Sequence, residues 1–441
     1  MPRVGPDVVN RPDLAELTRV SARIGFLSFG GPAGQIALMH RELVEERGWI
    51  GEESYLQALN LCHLLPGPEA QQLATWIGWR HHGWVGGLIA GGLFVLPGAM
   101  VMLALSLLYA LAADLDWFAA LFLGIKASVL AIIVQALVRI AGRALKTPLQ
   151  GALAFSAFVA LFLFDAPFPL VVVAALAIGA LAGAKRPDLL ALKPGGAAPG
   201  HHASPWLASL RALAAWLAIW AAPMLAVLVL LGPDHVLWRI GVFFSQLAVV
   251  TFGGAYAVLA YMAQEAVNGF GWLTPAEMAD GLGLAETTPG PLIMVTQFVG
   301  FIAAFRAPEP FGPVLAGVLG AGLTTWVTFA PCFLWIFALA PWMDRLQRAP
   351  ALKGGLAGVT AAVVGVIANL ALWFALHVLF ARVDTVTAGP MRLQVPAWES
   401  FDWRAGLIAA VAAILIFALK RGIIATLAVS AGLGLLLGTL A

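Results

Sequence analysis

The sequence predicts an all-α polytopic membrane protein made of two inverted-topology repeats with broken or re-entrant helices. The first observation is composition: of 441 residues, 61% are hydrophobic and only 11% are charged, whereas soluble proteins carry about 25% charged residues. The second is a pair of short Gly/Pro motifs, each of which occurs twice. The formal net charge of +2 gives no reason to expect a nucleic-acid partner, whereas the apolar composition requires a lipid bilayer.

The two motifs recur at a single spacing. Phe29-Gly30-Gly31 reappears 223 residues later as Phe252-Gly253-Gly254, and Pro66-Gly67-Pro68 reappears at the same spacing as Pro289-Gly290-Pro291. We call them the FGG and PGP corners. Gly and Pro interrupt helix hydrogen bonding, and lipid tolerates this only where protein or a water-filled cavity satisfies the freed backbone groups.

The first repeat begins with short helices around the corners. Helices are predicted at 17–29, after the first FGG corner, at 53–65, and from Glu69 to about Arg80. Each has about 12 residues, fewer than the roughly 20 needed to cross a bilayer, so we interpret them as half-helices or re-entrant elements. Ordinary spans follow at 84–112, 117–140, 149–165 and 167–184.

The second repeat follows a basic linker, residues 185–205, and one extra span at 207–232. Broken elements are then predicted at 237–268 and 276–306, with spans at 311–341, 352–380, 404–420 and 422–441. Pro97 and Pro331, like Lys126 and Thr360, are equivalent at a spacing of 234. The predicted domains are therefore 1–184, 185–236 and 237–441. Counting each broken element as one crossing gives about 13 membrane segments.

Charge predicts the orientation of these segments. Basic loops carry Arg139, Lys146 and Lys185, and Lys420 lies where the first repeat has Asp165. The positive-inside rule then places equivalent loops of the two repeats on opposite faces, with a cytoplasmic N-terminus and an outside C-terminus. The 262–276 loop fits poorly, because this scheme makes it cytoplasmic although it has no Lys or Arg.

Paired broken helices in an inverted repeat are typical of secondary transporters, whose site lies near the midplane. Helix N-termini expose N–H groups and partial positive charge, so several of them together predict an anion site without fixed cations. The alternative is that these glycines and prolines serve only close packing or kinks. The predicted substrate-binding residues are Gly30, Gly31, Pro32, Gln35, Pro66, Gly67, Pro68, Gln72, Lys126, Gly253, Gly254, Thr288, Pro289, Gly290, Pro291 and Gln297.

Few charged side chains fall at membrane depth. Lys126 lies inside a span and is therefore a functional candidate, with snorkelling to an interface as the alternative. Arg23 either attracts the anion or pairs with Glu42 or Glu69. His63 and Glu286 are equivalent at the spacing of 223 and are candidates for proton coupling, or else polar residues that stabilise a break.

With these residues placed, the chain resembles the chromate ion transporter family in its long, two-domain form. The matching text is Phe29-Gly30-Gly31-Pro32 with Gln35, Leu64-Leu65-Pro66-Gly67-Pro68, Gly124-Ile125-Lys126-Ala127, Thr251-Phe252-Gly253-Gly254, and Thr288-Pro289-Gly290-Pro291 with Gln297. The resemblance implies a multi-pass protein of the bacterial inner membrane that exports chromate, conferring chromate resistance, and is driven by the membrane potential or the proton gradient. The second repeat departs from this pattern at Ala255, where the first has Pro32.

The sequence leaves other functions open besides chromate export. Sulfate is the natural competitor of chromate, so a sulfate or other oxyanion exchanger on the same scaffold is the first alternative, and a channel is another. An enzyme acting on a lipid-linked substrate needs an acid/base or metal cluster, which the sequence lacks, so we expect no enzymatic activity, no cofactor and no metal. A homodimer is one option for its assembly.

Overall fold

The computed structural model describes residues 10–29, 31–112, 115–192, 206–252, 255–346 and 349–438. The chain is mainly helical, in agreement with the predicted class. The helices are α1 Leu14–Leu27, α2 Gly31–His40, α3 Glu52–Leu64, α4 Glu69–Ala112, α5 Asp116–Ala144, α6 Pro148–Phe164, α7 Phe168–Lys185, α8 Trp206–Leu231, α9 Val236–Val250, α10 Ala255–Gln264, α11 Pro275–Thr287, α12 Val295–Arg306, α13 Pro313–Leu339, α14 Met343–Leu346, α15 Pro350–Leu379, α16 Trp403–Ala413 and α17 Ile423–Gly438.

Six helices of the described ranges are long and apolar enough to cross a bilayer, namely α4, α5, α7, α8, the α13 segment and α15. Shorter apolar helices are α6, α9, α12, α16 and α17. Helix α4 is interrupted where φ and ψ leave the helical region at His82 (−129°, 22°) and Gly83 (60°, −146°). This break lies between the two helices predicted from the sequence, the short one ending near Arg80 and the span beginning at residue 84.

The chain divides into two compact units, each drawn from both halves of the sequence. The first unit takes the described parts of Met1–Ala104, Lys193–Ala255 and Thr288–Ala349, and the second takes those of Leu105–Leu192, Tyr256–Thr287 and Pro350–Ala441. The core of the first unit is apolar, with Leu17, Met39, Tyr55, Leu73 and Phe94 nearly inaccessible. Because lipid tails are as apolar as these side chains, the core is stabilised mainly by van der Waals packing.

In the first unit, α1 and α2 form a hairpin whose two ends lie together. The Asn10 amide N–H donates to the Gly48 carbonyl (3.1 Å), and Arg23 Nε lies 3.4 Å from Glu42 Oε1. The chain therefore enters along α1, turns at the FGG corner, and returns along α2 and a π-helical turn, Arg41–Glu46.

A second hairpin, formed by α3 and the first part of α4, returns to the same end of the unit. Arg11 donates to the His81 carbonyl (2.7 Å), and a ring nitrogen of His82 lies 2.9 Å from the Pro12 carbonyl. In the second half, His235 Nε2 lies 2.7 Å from the Glu309 carbonyl, so the start of α9 lies beside the segment that follows α12. The PGP corners are the tips from which α4 and α12 return.

The second unit packs long helices through small residues. Helices α7 and α15 approach so closely that a Cβ atom added to Gly179 would clash with the Gly354 carbonyl oxygen. Helices α5 and α17 are equally close, because a Cβ atom added to Gly124 would clash with the Ser430 carbonyl oxygen. Small residues at helix contacts are typical of membrane proteins. A compact apolar cluster, which includes Ile132, Ala412 and Ile416, joins α5, α16 and the π-helical turn after α16.

One feature of the second unit lies outside the predicted all-α class. Between α15 and α16 the chain forms an antiparallel hairpin of β1, Val383–Ala388, and β2, Met391–Pro396, in which Val383 pairs with Pro396. Arg392 of β2 lies 3.3 Å from Asp165, which also accepts a hydrogen bond from Gln264. These groups line a polar cavity of about 250 Å³.

The return of both hairpins to one end predicts a labelling pattern that a crossing element cannot give. In a variant with Cys62 and Cys332 replaced by serine, cysteines introduced at Asn10, Glu45 and His82 should react with an impermeant thiol reagent from one side of the membrane. Asp116→Cys, beyond the long span, is the matched control and should react from the opposite side. If Glu45→Cys and Asp116→Cys react from the same side of the membrane, the first broken element crosses the bilayer.

Candidate functional site

All the corner residues that the structure describes belong to the first unit, and the two halves are joined there by crossed backbone hydrogen bonds. The Gly67 N–H donates to the Thr251 carbonyl (2.8 Å), and the Gly290 N–H donates to the Ser28 carbonyl (2.7 Å). Gly67 and Gly290 are equivalent at the spacing of 223, as are Ser28 and Thr251. Each PGP corner therefore binds the residue before the FGG corner of the other half, which is the reciprocal pattern of a two-fold relation.

The packing behind the PGP corners follows the same reciprocal pattern. A Cβ atom on Gly67 would lie 2.7 Å from Cys332 Sγ, and the Cα of Gly290 lies 3.5 Å from the Cβ position of Gly98. Gly98 and Cys332 directly follow the equivalent prolines Pro97 and Pro331. Both PGP glycines have positive φ, 118° and 85°, a region that side chains disfavour, so glycine is needed at both positions.

Three of the predicted glutamines use their amide groups on backbone carbonyls. Gln35 Nε2 donates to the Gly290 carbonyl (2.6 Å) and Gln72 Nε2 to the Pro66 carbonyl (2.6 Å), while Gln297 Nε2 donates to the Ala99 carbonyl (2.9 Å). Gln35 and Gln72 therefore satisfy carbonyl groups at the PGP corners, whereas Gln297 contacts a carbonyl inside α4.

Buried acceptors remain beside the first PGP corner. The Oε1 atoms of Gln71 and Gln72 and the Oγ1 atom of Thr328 are buried without hydrogen-bond partners. The two glutamine oxygens only accept hydrogen bonds, so they suit water or a protonated group rather than an anion, whereas the Thr328 hydroxyl can also donate. In this conformation the two PGP glycines donate to protein carbonyls.

The other predicted corner residues are placed as follows. Gly31 begins α2, and the space where its Cβ would lie is open within 4 Å. Gly30, Gly253 and Gly254 lie outside the described residues. Pro32 is half-buried at the start of α2, and the remaining corner residues are buried, namely Pro66, Pro68, Thr288, Pro289 and Pro291.

Of the alternatives for Arg23, the structure shows pairing with Glu42. Glu42 is buried, at 1% exposure, and accepts from Arg47 Nη1 at 2.5 Å, while the Arg23 side chain is 56% exposed. His63 Nδ1 lies 3.6 Å from Oε1 of Glu69, the first residue of α4. Glu286 is buried on α11.

Lys126 belongs to the second unit, whereas the corners belong to the first. Its positive charge favours the ionised form of Asp280 of α11, and Asp280 Oδ2 accepts a hydrogen bond from the Tyr109 hydroxyl (2.8 Å). Asp280 is not among the residues predicted from the paired motifs, because its counterpart at the spacing of 223 is Gln57, which carries no charge. A single carboxylate in the apolar run Met278–Leu284 is the signal that identifies it.

Among the described residues, no group of three or more His, Cys, Asp or Glu side chains forms a possible metal site. Cys62 and Cys332 are both buried free thiols.

Interrupted helices that meet in a hydrogen-bonded centre, within an apolar helical chain, define a polytopic membrane protein of the transporter type. Residues 15–183 and 238–435 match the family model described as chromate transporter. The chain belongs to the chromate transporter family.

Curated relatives agree with this membership. The chain is 34% identical over 380 residues to a chromate transport protein of Pseudomonas aeruginosa, covering 83% of this chain and 82% of the relative. It is 31% identical over 356 residues to a probable chromate transport protein of Synechococcus elongatus, covering 81% and 83%, and 30% identical over 354 residues to a chromate transport protein of Cupriavidus metallidurans, covering 80% of each. No solved structure matches the chain.

The crossed hydrogen bonds predict strict sensitivity at the PGP glycines. Gly67→Val and Gly290→Val should each abolish transport, because a side chain is strained at positive φ, by about 1–3 kcal/mol, and displaces the corner of the opposite half. Gly322→Val is the control, since its φ is ordinary and its Cβ position is open within 4 Å. Substrate flux in proteoliposomes and the melting temperature of each purified variant are the measurements; wild-type flux in either corner variant would contradict the role of these bonds.

The contacts of Glu42 with Arg23 and Arg47 predict that the two arginines contribute differently to the free energy of unfolding. Arg47→Gln removes a charged hydrogen bond to a buried carboxylate and should lower the free energy of unfolding by about 1.5–3 kcal/mol. Arg23→Gln removes an exposed partner and should cost at most about 1 kcal/mol without changing anion affinity. Denaturation in detergent and an anion-binding titration measure the two effects. A large loss of anion affinity in Arg23→Gln would contradict this expectation and would indicate that Arg23 attracts the anion.

Proposed function

We propose that the protein is a secondary transporter that exports chromate across the bacterial inner membrane by alternating access around an anion site at the four corners. The main support is the crossed pairing of Gly67 with Thr251 and of Gly290 with Ser28, which gathers interrupted backbone from both halves of the chain. The names of the three curated relatives supply the anion.

The proposed site uses backbone N–H groups at the ends of helices that return from the corners. Helix α2 begins at Gly31, α4 at Glu69, and the turn that leads into α12 at Leu292. Each start presents partial positive charge and free N–H groups, which suit the oxygens of a tetrahedral dianion. The open space at Gly31 gives an anion room to approach the backbone of α2.

We propose inverted repeats for the two halves. Helix α9 lies where the spacing of 223 from α1 expects it, and the π-helical turns Arg41–Glu46 and Glu265–Gly269 are nearly equivalent at that spacing. The reciprocal contacts at the PGP corners support a two-fold axis between the halves. The domain boundaries 1–184, 185–236 and 237–441 describe these repeats along the sequence, while the compact units mix them.

We further propose that all four broken elements are re-entrant, which leaves nine crossings, namely the second part of α4, then α5, α6, α7, α8, α13, α15, α16 and α17. The N-terminus is then cytoplasmic and the C-terminus is outside, as the basic loops require. The 262–276 loop moves to the outside face, where its lack of Lys and Arg no longer conflicts with the positive-inside rule. This scheme replaces about 13 segments because a re-entrant hairpin adds no crossing.

Export of a dianion needs no second energy source beyond the membrane potential. An inside-negative potential favours outward movement by about 2.3 kcal/mol per charge per 100 mV. Chromate and sulfate share charge and shape, and small steric differences are worth only about 1–3 kcal/mol in binding sites. The proposed site therefore admits sulfate to some degree.

Counterflow in proteoliposomes tests this proposal. Vesicles loaded with unlabelled chromate should take up labelled chromate, and external sulfate should compete at a higher concentration. Gly322→Val protein serves as the active control and Gly290→Val as the inactive one. Rapid sulfate exchange without chromate flux would identify a sulfate carrier instead, and single-channel currents in planar bilayers would identify a channel.

A further inference from the structure

The polar cavity of the second unit has no role in the corner site. It lies between the β-hairpin and helices α6, α10 and α15. Its volume of about 250 Å³ corresponds to about eight water molecules at about 30 Å³ each, which is enough for a small organic group. Its polar lining consists of Asp165, Gln264, Asn268, Asn369, Thr385, Arg392 and Gln394.

The β-hairpin turns a polar face towards this cavity. Successive side chains of a strand point to opposite faces, so Arg392 and Gln394 share one face of β2, and Thr385 is the partner of Gln394 on β1. All three line the cavity. Val386 and Val395 belong to the other face and are 49% and 42% exposed. The hairpin therefore supplies the cavity with hydrogen-bonding groups rather than with an apolar cover.

The charges of the lining balance each other. Asp165 and Arg392 are 3.3 Å apart, and they are the one carboxylate and the one cation among the side chains that line the cavity. Glu265 follows Gln264 in the chain but is not part of this lining. A ligand with a single charge would be attracted by one of the pair and repelled by the other, whereas a zwitterion can pair with both.

Four other lining side chains have unused hydrogen-bonding groups. Asn268, Asn369, Thr385 and Gln394 make no side-chain hydrogen bond to another described residue. Carboxamide and hydroxyl groups both donate and accept. They can therefore contact the positive and the negative end of a zwitterionic ligand.

Tryptophans place the cavity at the depth of lipid headgroups. Trp398 and Trp403 follow the hairpin, at the start of α16, and are 77% and 61% exposed. Exposed tryptophans at the ends of membrane helices lie at the interface between lipid and water. The hairpin and the cavity next to it are therefore at the level of the headgroups.

An aromatic row on α6 leads from the cavity along the helix. Phe162 lines the cavity and stacks on Phe158, with 5.4 Å between the ring centroids. Phe155, about one turn earlier, is 69% exposed. An acyl chain attached to a headgroup in the cavity can follow this row.

We propose that the cavity binds the headgroup of a zwitterionic phospholipid that carries a primary amine, as in phosphatidylethanolamine. Arg392 binds the phosphate, whose oxygens suit a guanidinium group, and Asp165 accepts hydrogen bonds from the ammonium group. A phosphoethanolamine group has roughly eight non-hydrogen atoms and so needs about the room of eight water molecules. The proposal concerns a lipid and does not depend on the transported anion.

The charge pair makes the site selective among lipids. Phosphatidylcholine has no N–H group to donate to Asp165. Phosphatidylglycerol brings a negative charge next to Asp165 without a cation to pair with it. Both lipids should therefore bind more weakly than phosphatidylethanolamine.

The test measures by native mass spectrometry which lipid the purified full-length protein retains in detergent. Phosphatidylethanolamine, phosphatidylcholine and phosphatidylglycerol with the same acyl chains are supplied in equal amounts. The wild type should retain phosphatidylethanolamine in about tenfold excess over either of the others. Arg392→Gln should lower this retention by about tenfold or more, because the phosphate loses a charged hydrogen bond. Asp165→Asn leaves Arg392 without its carboxylate, so the preference should change to phosphatidylglycerol.

Arg382→Gln is the matched control. Arg382 precedes β1, is 61% exposed and pairs with Glu399 at 2.9 Å, but it does not line the cavity, so its replacement should leave lipid retention unchanged. Thr385→Trp fills the cavity from an exposed strand position without a change of charge and should displace the lipid. This variant decides the test if Arg392→Gln or Asp165→Asn does not fold.

Glycerophosphoethanolamine, the same headgroup without acyl chains, identifies the source of the ligand. It should compete with the lipid only at a much higher concentration. Competition at equal concentration would assign the site to a soluble phosphate ester, and no competition at all would mean that the acyl chains alone hold the lipid; either result overturns the proposal.

The lipid measurements can also contradict the proposal directly. Equal retention of the three lipids by the wild type, unchanged retention in Arg392→Gln or Thr385→Trp, a loss in Arg382→Gln, or no gain of phosphatidylglycerol in Asp165→Asn would each overturn it. None of these results depends on anion flux, so the lipid site and the proposed transport function fail separately.

Discussion

The first unit depends on two crossed hydrogen bonds, from Gly67 to Thr251 and from Gly290 to Ser28. In an apolar environment an unpaired backbone group costs several kcal/mol, so a helix break is stable only where another segment supplies the missing partner. Here the break of one half supplies the partner for the break of the other. Neither half can satisfy its own corner in this way, which makes the pairing of the halves a condition for the interrupted helices to exist.

The same constraint explains the residues that surround the corners. The Ser28 and Thr251 hydroxyls donate to the Ile24 and Leu247 carbonyls one turn earlier, so the side chains saturate the helix ends whose own carbonyls serve the glycines. Gln35 reaches the Gly290 carbonyl. The polar residues near the corners therefore complete the backbone of the breaks in this conformation.

Two of the buried carboxylates, Glu42 and Asp280, differ in their partners. Glu42 is buried but has two arginine neighbours at the end of the unit where both hairpins return. Asp280, by contrast, accepts a hydrogen bond from one tyrosine, Tyr109, through Oδ2, and its Oδ1 atom is buried without a hydrogen-bond partner. Burying a carboxylate is costly unless it is paired, so the two arginines offset the cost of burying Glu42.

The sequence alone determined the class and the position of the two PGP breaks. Composition required a membrane, and the spacing of 223 identified Gly67 and Gly290 as equivalent. Both features can be read from the linear sequence, because neither depends on contacts between residues that are distant along the chain. The helix predicted at 53–65 and the one found at Glu52–Leu64 agree because Gly and Pro end a helix locally. The resemblance stated from the paired motifs named the family that the family model then confirmed.

Only the tertiary structure decided which breaks pair, that the first two broken elements turn back, and that Tyr109 donates a hydrogen bond to the buried Asp280. It also placed a β-hairpin after α15, where the sequence gives only a polar, β-branched stretch between spans. Hydrogen bonds between residues more than 180 positions apart, such as Gly67 and Thr251, leave no local pattern in a sequence. Their partners are fixed by how the helices pack, and packing is a property of the folded chain.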